Sequence, residues 1–201
     1  MDANRSKQYP LHRREVVSAL LDQRGDMLVV AGLGASAWDI TAAGDSPLNF
    51  PLWGAMGGAV SLGLGLALAQ PSRRVLVVTG DGEMLMGLGS LATVAMQKPP
   101  NLAIVVLDNE RYGETGMQAT HTAGDADLAA MASAAGFSTS TTVRDNHALE
   151  LALPRIRNGQ GPVFYTIKIC AEDLPLMLPP KDGVQLKRRF RQALLGSDAP
   201  A

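Results

Sequence analysis

The chain has 201 residues, enough for one well-buried domain with or without a tail. Apolar residues make up 46% and aromatic ones only 4%, so the core is expected to be aliphatic and alanine-rich. A net charge of −1 argues against nucleic acid or a membrane surface as partner, and the single cysteine, Cys170, excludes a disulfide framework and a Cys-based zinc site. The N-terminal stretch "MDANRSKQYPLHRRE" lacks the apolar run of a signal peptide. Val60–Ala69 is too short and too glycine-rich for a spanning helix, so a cytoplasmic globular protein is expected.

In chain order, Arg13–Arg24 carries Val16, Val17, Leu20 and Leu21 at helical spacing and ends at Gly25. "MLVVA" (Met27–Ala31) reads as a buried strand, followed by "GLGASAWD" as a loop. Residues 39–53 show no clear period and hold Gly44, Pro47 and Pro51, which suggests a long functional loop. Gly54–Ala69 reads as a small-residue helix, Val75–Thr79 as a strand, Gly87–Gln97 as a helix and Asn101–Asn109 as the next strand. Asp127–Ala135 and Asp145–Arg157 read as helices, with Pro154 at a break or near the end of the second. Phe137–Val143 and Pro162–Ile169 complete a set of about five or six strands, solidly apolar rather than alternating. The expected fold is α/β: three layers around a doubly wound parallel sheet. From Leu174 a proline cluster leads into a basic amphipathic helix, "VQLKRRFRQALLG", which is either strapped onto the domain or a subunit contact.

The chemistry concentrates in "VVTGDGEMLMG" (Val77–Gly87), where glycines flank Asp81 at the end of a buried strand. Asn109 closes the next strand. A carboxylate and an amide oxygen from neighbouring strand ends suit Mg²⁺, which completes its shell with phosphate oxygens and water. The amides of Gly82 and Glu83, just before a helix, are placed to donate to such phosphates.

"GDG" at 80–82, residues 83–107 and then "DN" at 108–109 resemble the motif of thiamin-diphosphate enzymes, as does "LWGAMGGAVSLGLGLALAQPSRRVLVVTGDG" leading into it. The resemblance covers about Gly32 to Ile169, the diphosphate-binding (PP) module. "LDNERYGETGMQATHT" and "PPKDGVQLKRRF" are similar to the β chains of sulfopyruvate and phosphonopyruvate decarboxylases. Asp108 stands where many members have the first Asn.

The resemblance implies a thiamin-diphosphate-binding domain at 1–172 and a C-terminal tail at 173–201 as a subunit contact. It assigns Mg²⁺ to Asp81, Asn109 and the carbonyl of Arg111. It makes Gly34, Ala35 and Ser36 the first diphosphate loop, with Gly82, Glu83, Tyr112 and Gly113 also at the cofactor. Gly54 matches the position whose carbonyl accepts from the aminopyrimidine, and Met56 the apolar wedge between the cofactor rings. A core methionine on a helix face is the plainer alternative for Met56. Glu114 and His121, just past the metal loop, are candidate catalytic residues or else solvated loop residues. Arg111 is a candidate contributor of charge for an anionic substrate.

The implied activity is non-oxidative decarboxylation of a small 2-oxo acid to an aldehyde. An acetolactate-synthase-like carboligase and a non-catalytic cofactor-binding module are the alternatives. "GLGASA" (32–37) also fits a dinucleotide fingerprint, but no sustained helix is expected after it, which weighs against a nicotinamide dinucleotide enzyme. The family's catalytic glutamate belongs to a second, pyrimidine-binding (Pyr) module for which this sequence shows no strand-helix series. A partner α subunit supplying that glutamate, in an α₂β₂ assembly or larger, is therefore expected.

Overall fold

The computed structural model describes residues 5–196; the ends of the expected 1–172 and 173–201 segments lie outside the described residues. Strands β1 (Leu28–Ala31), β2 (Asn49–Pro51), β3 (Val75–Gly80) and β4 (Leu102–Asp108) belong to one sheet. After the two-residue strands β5 (Arg111–Tyr112) and β6 (Gln118–Ala119), which form a small antiparallel pair, β7 (Thr139–Val143) and β8 (Val163–Lys168) complete it. The main sheet has the order β2-β1-β3-β4-β8-β7, with every pair parallel.

Helices cover both faces, as solidly apolar strands require. Helices α1 (Arg13–Leu21), α2 (Ala35–Ala42) and α7 (Asn146–Asn158) bury one face of the sheet, where Val29, Leu76, Val105 and Ile167 point. The other face, with Val30, Val77, Ile104 and Phe164, is covered by α3 (Ala59–Ala69), α5 (Ser90–Gln97), α6 (Leu128–Ala135) and α8 (Gly183–Leu195). A short α4 (Asp81–Met86) starts directly at the end of β3. The expected three-layer, doubly wound architecture is the one observed.

Four local expectations need correction. "GLGASAWD" is not a loop, because α2 begins at Ala35. Its periodic signal is hidden by Asp39, a carboxylate fully buried where the apolar stripe should run. The argument against a dinucleotide site from a missing helix therefore falls. Strand β2 was hidden in the 39–53 region, since three residues ending in proline at a sheet edge carry almost no pattern. Residues 54–58 form a turn with Ala55 and Gly57 at positive φ, so α3 starts at Ala59 rather than Gly54. Gly82 and Glu83 lie inside the first turn of α4, not before a helix. Pro154 sits within a continuous α7, whose last carbonyls, at Arg155, Ile156 and Gly159, accept hydrogen bonds from the Arg74 guanidinium.

The tail from Leu174 is strapped onto the domain at the β2 edge. Phe190 is buried and meets Phe50 edge-on with ring centroids 5.2 Å apart. The indole of Trp53 donates to the carbonyl of Pro180 at 2.9 Å, and Arg189 pairs with Asp45. Replacing a buried phenylalanine by alanine costs about 3–5 kcal/mol. Phe190→Ala is expected to lose stability at the lower end of that range, measured by urea unfolding. A loss below about 1 kcal/mol, the scale of a surface substitution, would show that the helix is not part of the packed domain.

Candidate active site

The chain runs from β1 outward to β2 and then returns to place β3 on the other side of β1. That reversal opens a crevice beyond the carboxyl ends of β1 and β3, where doubly wound folds bind ligands. The loop after β1 and the junction of β3 with α4 form its two walls. They are clamped by Glu83: its Oε2 accepts from Thr79 Oγ1 at 2.6 Å and lies where a Gly32 side chain would begin, 1.7 Å from that Cβ position. Burial raises the Glu83 carboxyl. The N–H groups of Gly57, Ala59 and Leu33 lower it in part, without closing a hydrogen bond of ordinary geometry to Oε1. Glu83 thus holds the end of β3 and the loop after β1 in contact.

Asp81 stands at the start of α4, 2% exposed. Its Oδ2 accepts from Thr120 Oγ1 at 2.5 Å and from Thr122 Oγ1 at 3.0 Å. Both donors are neutral, so neither balances the charge of an ionised carboxylate. Burial first, and then the neighbouring Asp108, push the Asp81 carboxyl up to about 7. A buried carboxylate raised this far gains most from a bound cation.

The turn after β4 is held by a charge cluster. Lys168, at the end of β8, sits 2.7 Å from Asp108 Oδ2 and 2.9 Å from Glu110 Oε1. Arg5 and Tyr9 reach the same Glu110 carboxylate at 2.6 and 2.7 Å. Burial would raise the Glu110 carboxyl, but these partners outweigh it and pull it down to about 2. Glu110 has φ of 62°, a left-handed conformation that a non-glycine residue adopts only when its surroundings hold it there. Thr122 Oγ1 stands between the two halves, 3.0 Å from Asp81 Oδ2 and 2.8 Å from Asp108 Oδ1, with one proton to donate to either.

Eleven of the expected site residues line one cavity of about 210 Å³: Ala35, Ser36, Met56, Asp81, Gly82, Glu83, Asn109, Arg111, Tyr112, Gly113 and Glu114. Gly34 is buried beside it as the N-cap of α2. Gly54 is exposed in the turn before α3, and His121 is exposed in a one-turn helix; neither lines the cavity. Met56 is 43% exposed and precedes α3, so it is not a core methionine on a helix face. Gly82 is glycine for packing, since a Cβ there would fall 2.3 Å from the Tyr112 ring.

Sequence reasoning missed Arg13, Asp39, Thr120, Thr122 and Lys168. Arg13 lies on the helical stripe of Val16, Val17 and Leu20. A cation in an apolar stripe is itself a signal of a buried ion pair, here with Asp39 at 2.9 Å. Thr120 and Thr122 flank His121, the residue that drew attention to this segment, and they rather than His121 reach Asp81.

Residues 33–167 match the family model described as "Thiamine pyrophosphate enzyme, C-terminal TPP binding domain". The chain belongs to this family of thiamin-diphosphate enzymes. It is 38% identical over 187 residues to sulfopyruvate decarboxylase subunit beta of Methanothermobacter thermautotrophicus, covering 93% of this chain and 97% of that one. It is 38% identical over 167 residues to phosphonopyruvate decarboxylase of Streptomyces viridochromogenes, covering 83% of this chain but 42% of that protein. The solved benzoylformate decarboxylase of Polynucleobacter necessarius shares the fold, with a TM-score of 0.67, 21% identity, and coverage of 83% of this chain and 34% of that one.

Removing one member of a buried charge cluster leaves the others uncompensated, at a cost of about 3–5 kcal/mol. Lys168→Met is expected to destabilise the chain by that amount in urea, with fluorescence or circular dichroism as readout. A loss under 1 kcal/mol would show that the cluster does not hold the turn.

Proposed function

We propose that this chain is the diphosphate- and metal-binding subunit of a two-chain thiamin-diphosphate decarboxylase acting on a small 2-oxo acid with a second anionic group. Sulfopyruvate and phosphonopyruvate, named in its relatives, are the substrates of choice. The observation that carries the reading is Asp81, a buried carboxylate whose side-chain partners among the described residues are neutral hydroxyls, in one cavity with Asn109 at the switch point of the sheet.

The residues present fit the cofactor and its metal. Among the described residues no cluster of three or more His, Cys, Asp or Glu side chains could hold a metal. One carboxylate and one amide form a partial set, as expected for Mg²⁺ that takes its remaining ligands from phosphate and water. Asp81, Asn109 and the carbonyl of Arg111 would hold the ion. Asn109 Oδ1 accepts from the Arg111 N–H at 2.9 Å, which fixes the amide and leaves a second lone pair. The first-turn amides of α2 and α4 would receive the diphosphate, and Met56 would pack against the cofactor rings. A Cβ at Gly54 or Gly80 would meet nothing within 4 Å, so the backbone is open there. The bound cofactor supplies the nucleophilic carbon and electron sink for decarboxylation.

The chain's own part is to bind, orient and shield. Four carboxylates line the cavity: Asp39, Asp81, Glu83 and Glu114. Asp39 is paired with Arg13 and Arg14, Glu83 is bonded to Thr79, and Asp81 is assigned to the metal. Glu114 stands at the start of α2, on the diphosphate side of the assigned site. None is left to activate the aminopyrimidine, and a Pyr-type α subunit is the proposed source of that glutamate. Met56 in the cavity lining, Trp53 in the turn before α3, and Leu176, Met177 and Leu178 in the tail are all exposed, which supports placing subunit contacts there. No helix among the described residues is long and apolar enough to cross a membrane.

Asp81→Ala is expected to abolish Mg²⁺-dependent binding of thiamin diphosphate, or weaken it at least a hundredfold, because the metal loses its one anionic protein ligand. Wild-type affinity in calorimetry would sink the metal assignment. The purified chain with cofactor, Mg²⁺ and sulfopyruvate or phosphonopyruvate should release no carbon dioxide until the partner is added. Robust turnover by the chain alone would overturn the two-chain proposal.

A further inference from the structure

The short turn Gly113–Thr115 carries Glu114 across the cavity to the start of α2. Its Oε1 lies 3.0 Å from the position a Gly34 Cβ would occupy, with Cγ and Cδ at 3.1 Å, so the side chain rests flat on that glycine. Gly34 caps α2 without a side-chain bond, and the first amides of a helix need acceptors. The Ala35 N–H faces the Glu114 carboxylate and lowers it, without closing a hydrogen bond of ordinary geometry. Arg13 faces the same space: its Nη1 is tied to Asp39 Oδ2 at 2.9 Å and reaches the Ala35 carbonyl at 3.5 Å. Burial raises the Glu114 carboxyl, while the charge of Arg13 and the Ala35 amide lower it. The carboxylate therefore occupies the place an anionic ligand would take, against the start of the helix and within the field of the guanidinium.

We infer that Glu114 is a built-in competitor for the cofactor's diphosphate, which must swing off the α2 N-terminus before that anion can seat. The inference rests on the assignment of Gly34, Ala35 and Ser36 to the diphosphate. Two anions cannot share one amide and one guanidinium, so binding exchanges the internal carboxylate for the external phosphate.

The surrounding turn is built for this exchange. Glu114 is exposed on a one-turn helix between Gly113 and Gly116, and Gly116 has φ of 112°. The turn itself is anchored on both sides of Glu114: the Tyr112 ring lies against Gly82, and Gln118 bonds Thr115 through its side-chain oxygen and nitrogen at 2.8 and 2.7 Å. Only the Glu114 side chain has to move.

The test is calorimetry on the full chain, wild type and the variants Glu114→Gln, Glu114→Ala and Asp81→Ala. The probes are Mg²⁺-pyrophosphate, Mg²⁺-thiamin diphosphate and unphosphorylated thiamin. Removing the competing charge should tighten pyrophosphate and thiamin diphosphate about tenfold in both Glu114 variants, with a faster on-rate and thiamin unchanged. If Glu114 only caps α2, the variants melt lower and bind no tighter, which overturns the inference. Asp81-dependent binding in the wild type with no gain in either Glu114 variant would reject the competitor and leave the cofactor site standing. Binding that is absent throughout, or indifferent to Asp81, would reject both.

Discussion

The site depends on one buried ammonium. Lys168 is opposite Asp108 in the register of β8 and β4, and its chain reaches past that partner to Glu110. Burial alone would lower the Lys168 ammonium, but the two carboxylates outweigh it and keep it above the ordinary value. With Glu110 fixed by Lys168, Arg5 and Tyr9, the backbone after β4 can turn through a left-handed residue. That turn places Asn109 and Arg111 in the lining of the crevice. The cluster's work is therefore positional, since buried ion pairs contribute little net stability once desolvation is counted.

Asp81 and Glu110 show how environment divides one functional group into two roles. Both are almost wholly buried carboxylates near the end of the same sheet. Glu110 is surrounded by cations and a phenol and titrates at about 2, so it is a permanent structural anion. Asp81 is surrounded by hydroxyls and another acid and is raised to about 7, so it holds unspent affinity for a cation. Thr122 Oγ1 stands between the two settings, within hydrogen-bond distance of Asp81 and of Asp108, and so links Asp81 to the cluster that holds the turn.

Close backbone approaches supply the rest of the geometry. The turn ahead of α3 lies on the end of α4 so tightly that a Cβ at Gly87 would fall 2.1 Å from the Gly57 carbonyl. Tyr112 uses the missing side chain of Gly82 in the same way. Met56 and Tyr112 thereby join Asp81 in the lining of one cavity. The small residues of "WGAMGG" and "GDGEMLMG" are a mutual fit as much as an opening for ligand.

The sequence by itself determined the sheet, the layers and most of the residues that meet in the cavity. Solid apolar runs can only be doubly covered strands, and the glycine-flanked Asp81 marks a strand end whatever the neighbours do. The family pattern then singled out Asn109, Met56, Ala35 and Ser36, which line the cavity. What only the tertiary structure decided are contacts between segments far apart in the chain: Arg13 with Asp39, Lys168 with Asp108 and Glu110, Thr120 and Thr122 with Asp81. Helix α2 escaped notice for the same reason, because the partner that makes a buried Asp39 tolerable lies on α1. The exposed position of His121 and the reach of Glu114 to Gly34, ahead of α2, were likewise beyond local pattern. Periodicity reports which face of an element is buried; it cannot report which distant charge or hydroxyl is waiting there.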